Sequence, residues 1–139
     1  AENRSRAHDV VTRVAAHVAQ AHGMTAEVPI GNGYPVTVND VDEFAFSQGV
    51  VVDLFGADRW VDMVNPEAGS EDMSFVLDEV PGAYLNVSAC AFADVADAED
   101  NHSPRAAFDD SVVPDIAAAL AEMALRRTRE LSRGVVADA

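Results

Sequence analysis

The stretch Gly69-Ser70-Glu71-Asp72-Met73-Ser74-Phe75-Val76-Leu77-Asp78-Glu79-Val80-Pro81-Gly82-Ala83-Tyr84-Leu85-Asn86-Val87-Ser88 decides the fold. Ser70 reads as an N-cap, since its hydroxyl suits the free N–H groups of a first turn. Glu71 and Asp72 then place carboxylates where the helix dipole favours them. Met73, Val76 and Leu77 supply a buried side at helical spacing, and the helix stops before Pro81, whose ring keeps the preceding residue out of the helical region. Gly82 to Ser88 reads as a buried strand. A capped helix running into a strand is the building unit of an α/β layer.

The same alternation continues toward the N-terminus. Trp60 to Val64 is short and strand-like, ended by Asn65 and Pro66. Before it, Asp40 followed by Glu43 is close to a capping box. Val41, Phe44, Ala45, Val51, Val52 and Phe55 form an apolar stripe up to Gly56, which predicts a helix over 41–55 with Gly49 as its weak point. Gly31-Asn32-Gly33-Tyr34-Pro35 is a loop by its turn chemistry, and residues 36–39 continue extended. Met24, Ala26, Val28 and Ile30 alternate with Thr25, Glu27 and Pro29, the period of a half-buried strand whose proline marks an edge. Val10, Val11, Val14, Val18 and Ala21 predict a helix over 4–22, closed by Gly23 in the left-handed position.

Toward the C-terminus, residues 89–105 read as a long acidic loop. Ile116, Leu120, Met123 and Leu131, with Pro114 in the first turn, predict a final helix over 113–133. Its last turns carry Arg126, Arg127, Arg129 and Arg133, the sign that a helix C-terminus favours. The expected architecture is therefore α/β, but with an odd start, because helix 4–22 and strand 24–30 cannot make a sheet of their own. The chain reads as beginning partway through a larger unit, with a boundary near residue 35.

Composition limits the function classes. The chain has 139 residues, 49% hydrophobic, with 24 acidic against 9 basic side chains and a formal charge of −15. That length suits one domain with an ample core, burying roughly two-thirds of its unfolded surface. Every basic residue is arginine, and between Val14 and Leu125 20 carboxylates face only Arg59 and Arg105. Such a surface does not grip phosphates, which excludes nucleic acid as a partner and disfavours an anionic membrane. No apolar run approaches the roughly 20 residues of a spanning helix. Cys90 is the only cysteine and no signal peptide opens the chain, so the expected location is cytoplasmic.

Few residues suggest chemistry by spacing alone. His8, His17 and His22 lie on the first helix without converging. His102 differs, standing between Asn101 and Pro104 just after Asp94, Asp97, Glu99 and Asp100. A loop histidine among carboxylates suits a metal ligand or general base, and equally a solvated loop. Cys90 with His102 admits a thiol nucleophile, but Ala89 and Ala91 fit a small buried residue at a strand end instead. Gly69 and Ser70 would offer backbone N–H groups and a hydroxyl to a carboxylate or oxyanion, or act simply as a cap.

Taken together, Gly69 to Phe75, Val80-Pro81-Gly82-Ala83-Tyr84, His102-Ser103-Pro104 and Phe108-Asp109-Asp110 before a long helix are specific. With Gly33-Tyr34-Pro35 and Val38-Asn39-Asp40, they resemble the C-terminal part of the metal-dependent amidohydrolases related to hippurate hydrolase, aminoacylase and indole-acetyl-amino-acid hydrolases. Those enzymes are dinuclear metallopeptidases of the carboxypeptidase G type. The resemblance implies that residues 1–35 end an inserted α+β lid, or dimerisation, domain and that residues 36–139 close a catalytic α/β domain. It implies His102 as a metal ligand and Gly69 and Ser70 as substrate-binding. Glu71 and Asp72 would fix their loop, and Asp109 and Asp110 would support the histidine loop and cap the final helix.

The implied cofactor is a divalent metal, zinc, manganese, cobalt or nickel, activating water against the amide of an N-acyl amino acid or small peptide. The family's other ligands and its paired glutamates would lie before residue 1, so the isolated chain is expected to be inactive and to retain no metal. A homodimer is a further implied partner. Ala68, Met73 and the pair Ala106 and Ala107 depart from the bulkier residues usual at those positions. A second reading is a non-enzymatic interaction module on the same scaffold.

Overall fold

The computed structural model describes residues 2–67 and 69–137, with side chains through Arg133. Four α-helices carry it: α1 (Glu2–Ala21), α2 (Val41–Phe55), α3 (Met73–Glu79) and α4 (Val113–Ala137). Three single 3-10 turns, at Ala57–Arg59, Val95–Asp97 and Asp110–Val112, join or precede them. Among the described residues no helix is long and apolar enough to cross a membrane.

The helix ends follow their sequence signals. α1 closes on Gly23 at φ 68°, with Met24 N–H donating to Ala19 O (2.9 Å) and Gly23 N–H to Gln20 O (3.0 Å). These paired bonds satisfy carbonyls that the helix end would leave open, and only glycine takes that φ without cost. Asp40 caps α2, its Oδ1 accepting from the N–H groups of Asp42 and Glu43, both at 3.0 Å. The reciprocal half of a capping box is absent. Asp40 N–H donates instead to Gly82 O (2.9 Å), and the Glu43 carboxylate turns to Arg127.

Two expectations at helix ends are corrected. Asp72 rather than Ser70 is the N-cap of α3, with no side-chain capping bond. The reason is that Ser74 tightens the turn from inside, its N–H (3.2 Å) and Oγ (2.5 Å) both donating to Glu71 O. α4 runs on to Ala137, so Arg126 and Arg127 sit mid-helix and serve packing rather than the C-terminal dipole.

The strands expected over 24–30, 60–64 and 82–88 do not form. Among the described residues β pairing is limited to one isolated antiparallel bridge, Cys90 to Phe108. Alternating hydrophobicity makes a segment ready for a sheet, but a strand exists only when a neighbour accepts its N–H and C=O groups. Here those segments stay unladdered, and the observed secondary structure is helical, without the expected α/β sheet.

By contacts the chain divides into two units, residues 1–39 with 66–81 and residues 40–65 with 82–139. In the first, Arg4 at the start of α1 donates to two backbone carbonyls of the 31–35 loop, and Tyr34 meets Phe75 of α3 edge-on. In the second, α2 packs on α4 and on the Ala57–Arg59 turn. Phe44 meets Trp60 edge-on at 5.3 Å, and the Trp60 indole N–H donates to Asp62 at 2.8 Å. Arg126 bridges Asp53 of α2 (2.6 Å) and Glu122 (2.7 Å), while Arg127 bridges Glu43 of α2 (2.7 Å) and Glu130 (2.7 Å). The Arg127 guanidinium also lies 3.9 Å over the Phe46 ring.

The ample core expected from length is not present. Among the described residues Val50 is the one buried apolar side chain, at 1% exposure, joined by the polar Ser47 and Ser74. Side chains on the expected strands, among them Val28 and Val87, lie at intermediate or full exposure because those strands have no sheet to pack from.

Candidate functional site

The candidate residues fall in both units. Gly69 and Ser70 lie in the first, in an exposed irregular segment that ends two residues ahead of the α3 cap. A side chain at position 69 would meet nothing within 4 Å, so the glycine is not there to relieve crowding. α3 has seven residues, too few for a dipole of much strength, so the idea of an anion site at its N-terminus gains nothing from the helix. What the fold does fix is the backbone just after Ser70, through the two Ser74 bonds to Glu71 O. Ala68, where the resemblance expects a bulky residue, lies outside the described residues.

His102 lies in the second unit, in a loop whose backbone is strongly pinned. Its own N–H donates to Asp100 Oδ1 at 2.8 Å, and Ser103 N–H donates to Asp100 O at 2.8 Å. Arg105 pairs with Glu99 through Nε at 2.9 Å and Nη2 at 2.5 Å, and Ser103 Oγ donates to the other Glu99 oxygen at 3.3 Å. The acidic run is thus used internally, with Asp100 as a turn former and Glu99 as a staple. Asp94 does the same one turn earlier, accepting from Ala96 N–H at 2.9 Å. The imidazole of His102 is exposed and no group among the described residues hydrogen-bonds it.

The loop is closed at its neck. Cys90 and Phe108 form the antiparallel bridge, and Asp109 N–H donates to Ala89 O at 2.9 Å. Asp109 then accepts from Ser111 N–H at 2.9 Å, capping the turn that leads into α4. Hydrogen bonding by Ser111, side chain first and backbone second, holds the Asp109 carboxyl below the usual range. Cys90 is half-buried and its Sγ–H points to Phe92 O at 3.5 Å, with no hydrogen bond to His102. Nothing in this geometry activates the thiol.

Among the described residues no three His, Cys, Asp or Glu side chains gather to hold a metal ion. A divalent ion takes about four to six donors. Among the described residues of this loop, Glu99 has both carboxylate oxygens and Asp100 one of its two engaged in holding the loop, and no second ligating side chain gathers beside the His102 imidazole. The residues present therefore do not fit a metal by themselves. Sequence reading missed the Arg4 clamp and the Glu99–Arg105 staple. The second had a signal in the pairing of the one loop arginine with an acid six residues before it.

Comparison with known proteins gives the family. Residues 3–126 match the family described as Peptidase family M20/M25/M40. Over 100 residues the chain is 33% identical to IAA-amino acid hydrolase ILR1-like 4 of Arabidopsis thaliana, which covers 70% of this chain and 22% of that protein. The chain thus spans about a fifth of the length of the curated relative it matches. No solved structure matches.

Proposed function

Because this chain belongs to Peptidase family M20/M25/M40, we propose that it is the C-terminal portion of an amidohydrolase that cleaves the amide bond of N-acyl amino acids or small peptides. Peptidases of this family depend in general on divalent metals, and the reading assigns His102 as one donor to such a metal. The remaining donors belong to the part of the relatives that this chain does not span. Gly69 and Ser70 contact substrate. The observation that carries the reading is the family match across residues 3–126, which takes in both the Gly69–Ser70 segment and the His102 loop. The pinned backbone of His102 supports it, since a ligand must be held in place, and the acceptor that a ligating imidazole needs for its second ring nitrogen would come with the remaining donors.

The test is release of free amino acid from N-acyl substrates with added manganese, cobalt or zinc. This chain alone should give no turnover, and the protein encoded together with the preceding reading frame should give robust turnover that His102→Ala lowers at least a hundredfold. Turnover by the chain alone, or full activity of the longer His102→Ala variant, overturns the reading.

One observation favours a second reading, an interaction module. Val10, Val11, Val14 and Val18 on α1 are between 41% and 55% exposed, and α1 has no buried residue. Sedimentation decides it, since a strictly monomeric chain at tens of micromolar would count against pairing through that helix.

A further inference from the structure

We infer that Arg4 is a positioning residue for the Gly69–Ser70 segment, acting through Tyr34 and Phe75. The inference deepens the reading proposed above, because it concerns the substrate-contacting segment assigned there. Arg4 donates from Nη1 to Asn32 O at 2.8 Å and from Nη2 to Tyr34 O at 2.7 Å. A guanidinium is a rigid planar fork, so two simultaneous bonds set both the spacing and the direction of those carbonyls. The loop they belong to is irregular. Gly33 takes φ 60°, Pro35 forces Tyr34 toward extended backbone, and no helix or strand runs through residues 31–35.

The backbone that Arg4 holds carries the Tyr34 ring, which meets the Phe75 ring edge-on with centroids 5.7 Å apart and planes at 63°. That is a favourable arrangement of two aromatic quadrupoles, and it is directional. Phe75 follows Ser74, whose side chain is fully buried at 0% exposure. Ser74 reaches back to Glu71 O with both its N–H and its hydroxyl, and Phe75 N–H donates to Asp72 O at 3.0 Å. Glu71 is the residue after Ser70. A displacement of the Tyr34 ring therefore reaches the substrate-contacting segment through one aromatic pair and one helical turn, all within the first unit. Arg4 touches neither substrate nor reacting atoms in this scheme.

Two measurements test it. In this chain, nuclear magnetic resonance of Arg4→Gln should lose the nuclear Overhauser contacts between the Tyr34 and Phe75 rings. Amide exchange at Phe75 and Val80 should also speed about threefold to tenfold, the scale of losing hydrogen bonds to a charged group at an exposed site. Arg4→Lys, which reaches one carbonyl at a time, should give an intermediate effect, and Arg6→Gln on the same helix none. Ring contacts and α3 exchange unchanged in Arg4→Gln overturn the inference whether or not any hydrolysis is found. In the longer protein, Arg4→Gln should raise KM for an N-acyl amino acid about fivefold or more with kcat nearly kept. A fall in kcat alone, with KM unchanged, would mean lost protein rather than a misplaced segment, and would overturn the link to substrate.

Discussion

At Arg127 one guanidinium meets Glu43 of α2 and Glu130 of α4 and lies over the Phe46 ring, joining two helices by charge and by dispersion at once. Its Nε is buried without a hydrogen-bond partner, which offsets part of the gain. With side chains of Arg127 and Glu43 about two-thirds buried, Arg127→Ala should cost about 2 kcal/mol and Arg127→Lys about half as much. Urea unfolding followed by helical circular dichroism checks both. Gly56 presents a different case. It sits at φ 95°, ψ 159°, a region open essentially to glycine, and an added Cβ would come 2.8 Å from Asp58 Oδ1. The aspartate can swing aside, so the backbone dominates, and Gly56→Ala should cost about 2 kcal/mol. Gly23→Ala, in the milder left-handed region with nothing within 4 Å, should cost about 1 kcal/mol. The order of the two midpoints is the critical reading, and equal losses would contradict it.

Elements differ in how much of them the sequence carries. A helix satisfies its own backbone, so local signals sufficed: Asp40, Gly23, Gly56 and Pro114 mark ends that the structure keeps within two residues. Segments 24–30, 60–64 and 82–88 carry equally clear alternation, yet they depend on partners that no local pattern specifies. The candidate site is legible in the same uneven way. His102 stood out by its acidic, proline-flanked setting, but the employment of Asp100 and Glu99 within the loop was not readable. Amides of 82–88 should therefore exchange within minutes while those in the middle of α2 and α4 are protected, and slow exchange across 82–88 would reveal pairing absent from this fold. The turn into α4 has its own pH dependence. The folded Asp109 carboxyl titrates below its unfolded value, so its contribution is complete above the unfolded value and is lost as pH falls through the folded one. Ser111→Ala should move the Asp109 titration, followed by carboxyl carbon shifts, back up toward the ordinary value near 3.8.

For the whole molecule, many valines and the rings of Phe75, Phe92 and Phe108 meet water among the described residues. A charge of −15 opposes association of such a surface. At low ionic strength that repulsion reaches across tens of ångströms, and at about 1 M salt it is screened within about 3 Å. Light scattering should therefore show the chain well dispersed in dilute buffer and associating as salt rises or as pH approaches the isoelectric point of about 4.3. Scattering independent of both would mean that the apolar faces are covered.

The neck formed by Cys90 and Phe108 bears on how much change in length the loop between them tolerates. A loop whose ends are already pinned lengthens at little entropic cost, about 0.6 kcal/mol for each doubling. The setting of His102 is held by a staple only seven residues long, from Glu99 to Arg105. A few residues inserted between Cys90 and Asp94, ahead of the turn that Asp94 caps, should therefore cost little stability and leave the Glu99–Arg105 staple around His102 in place.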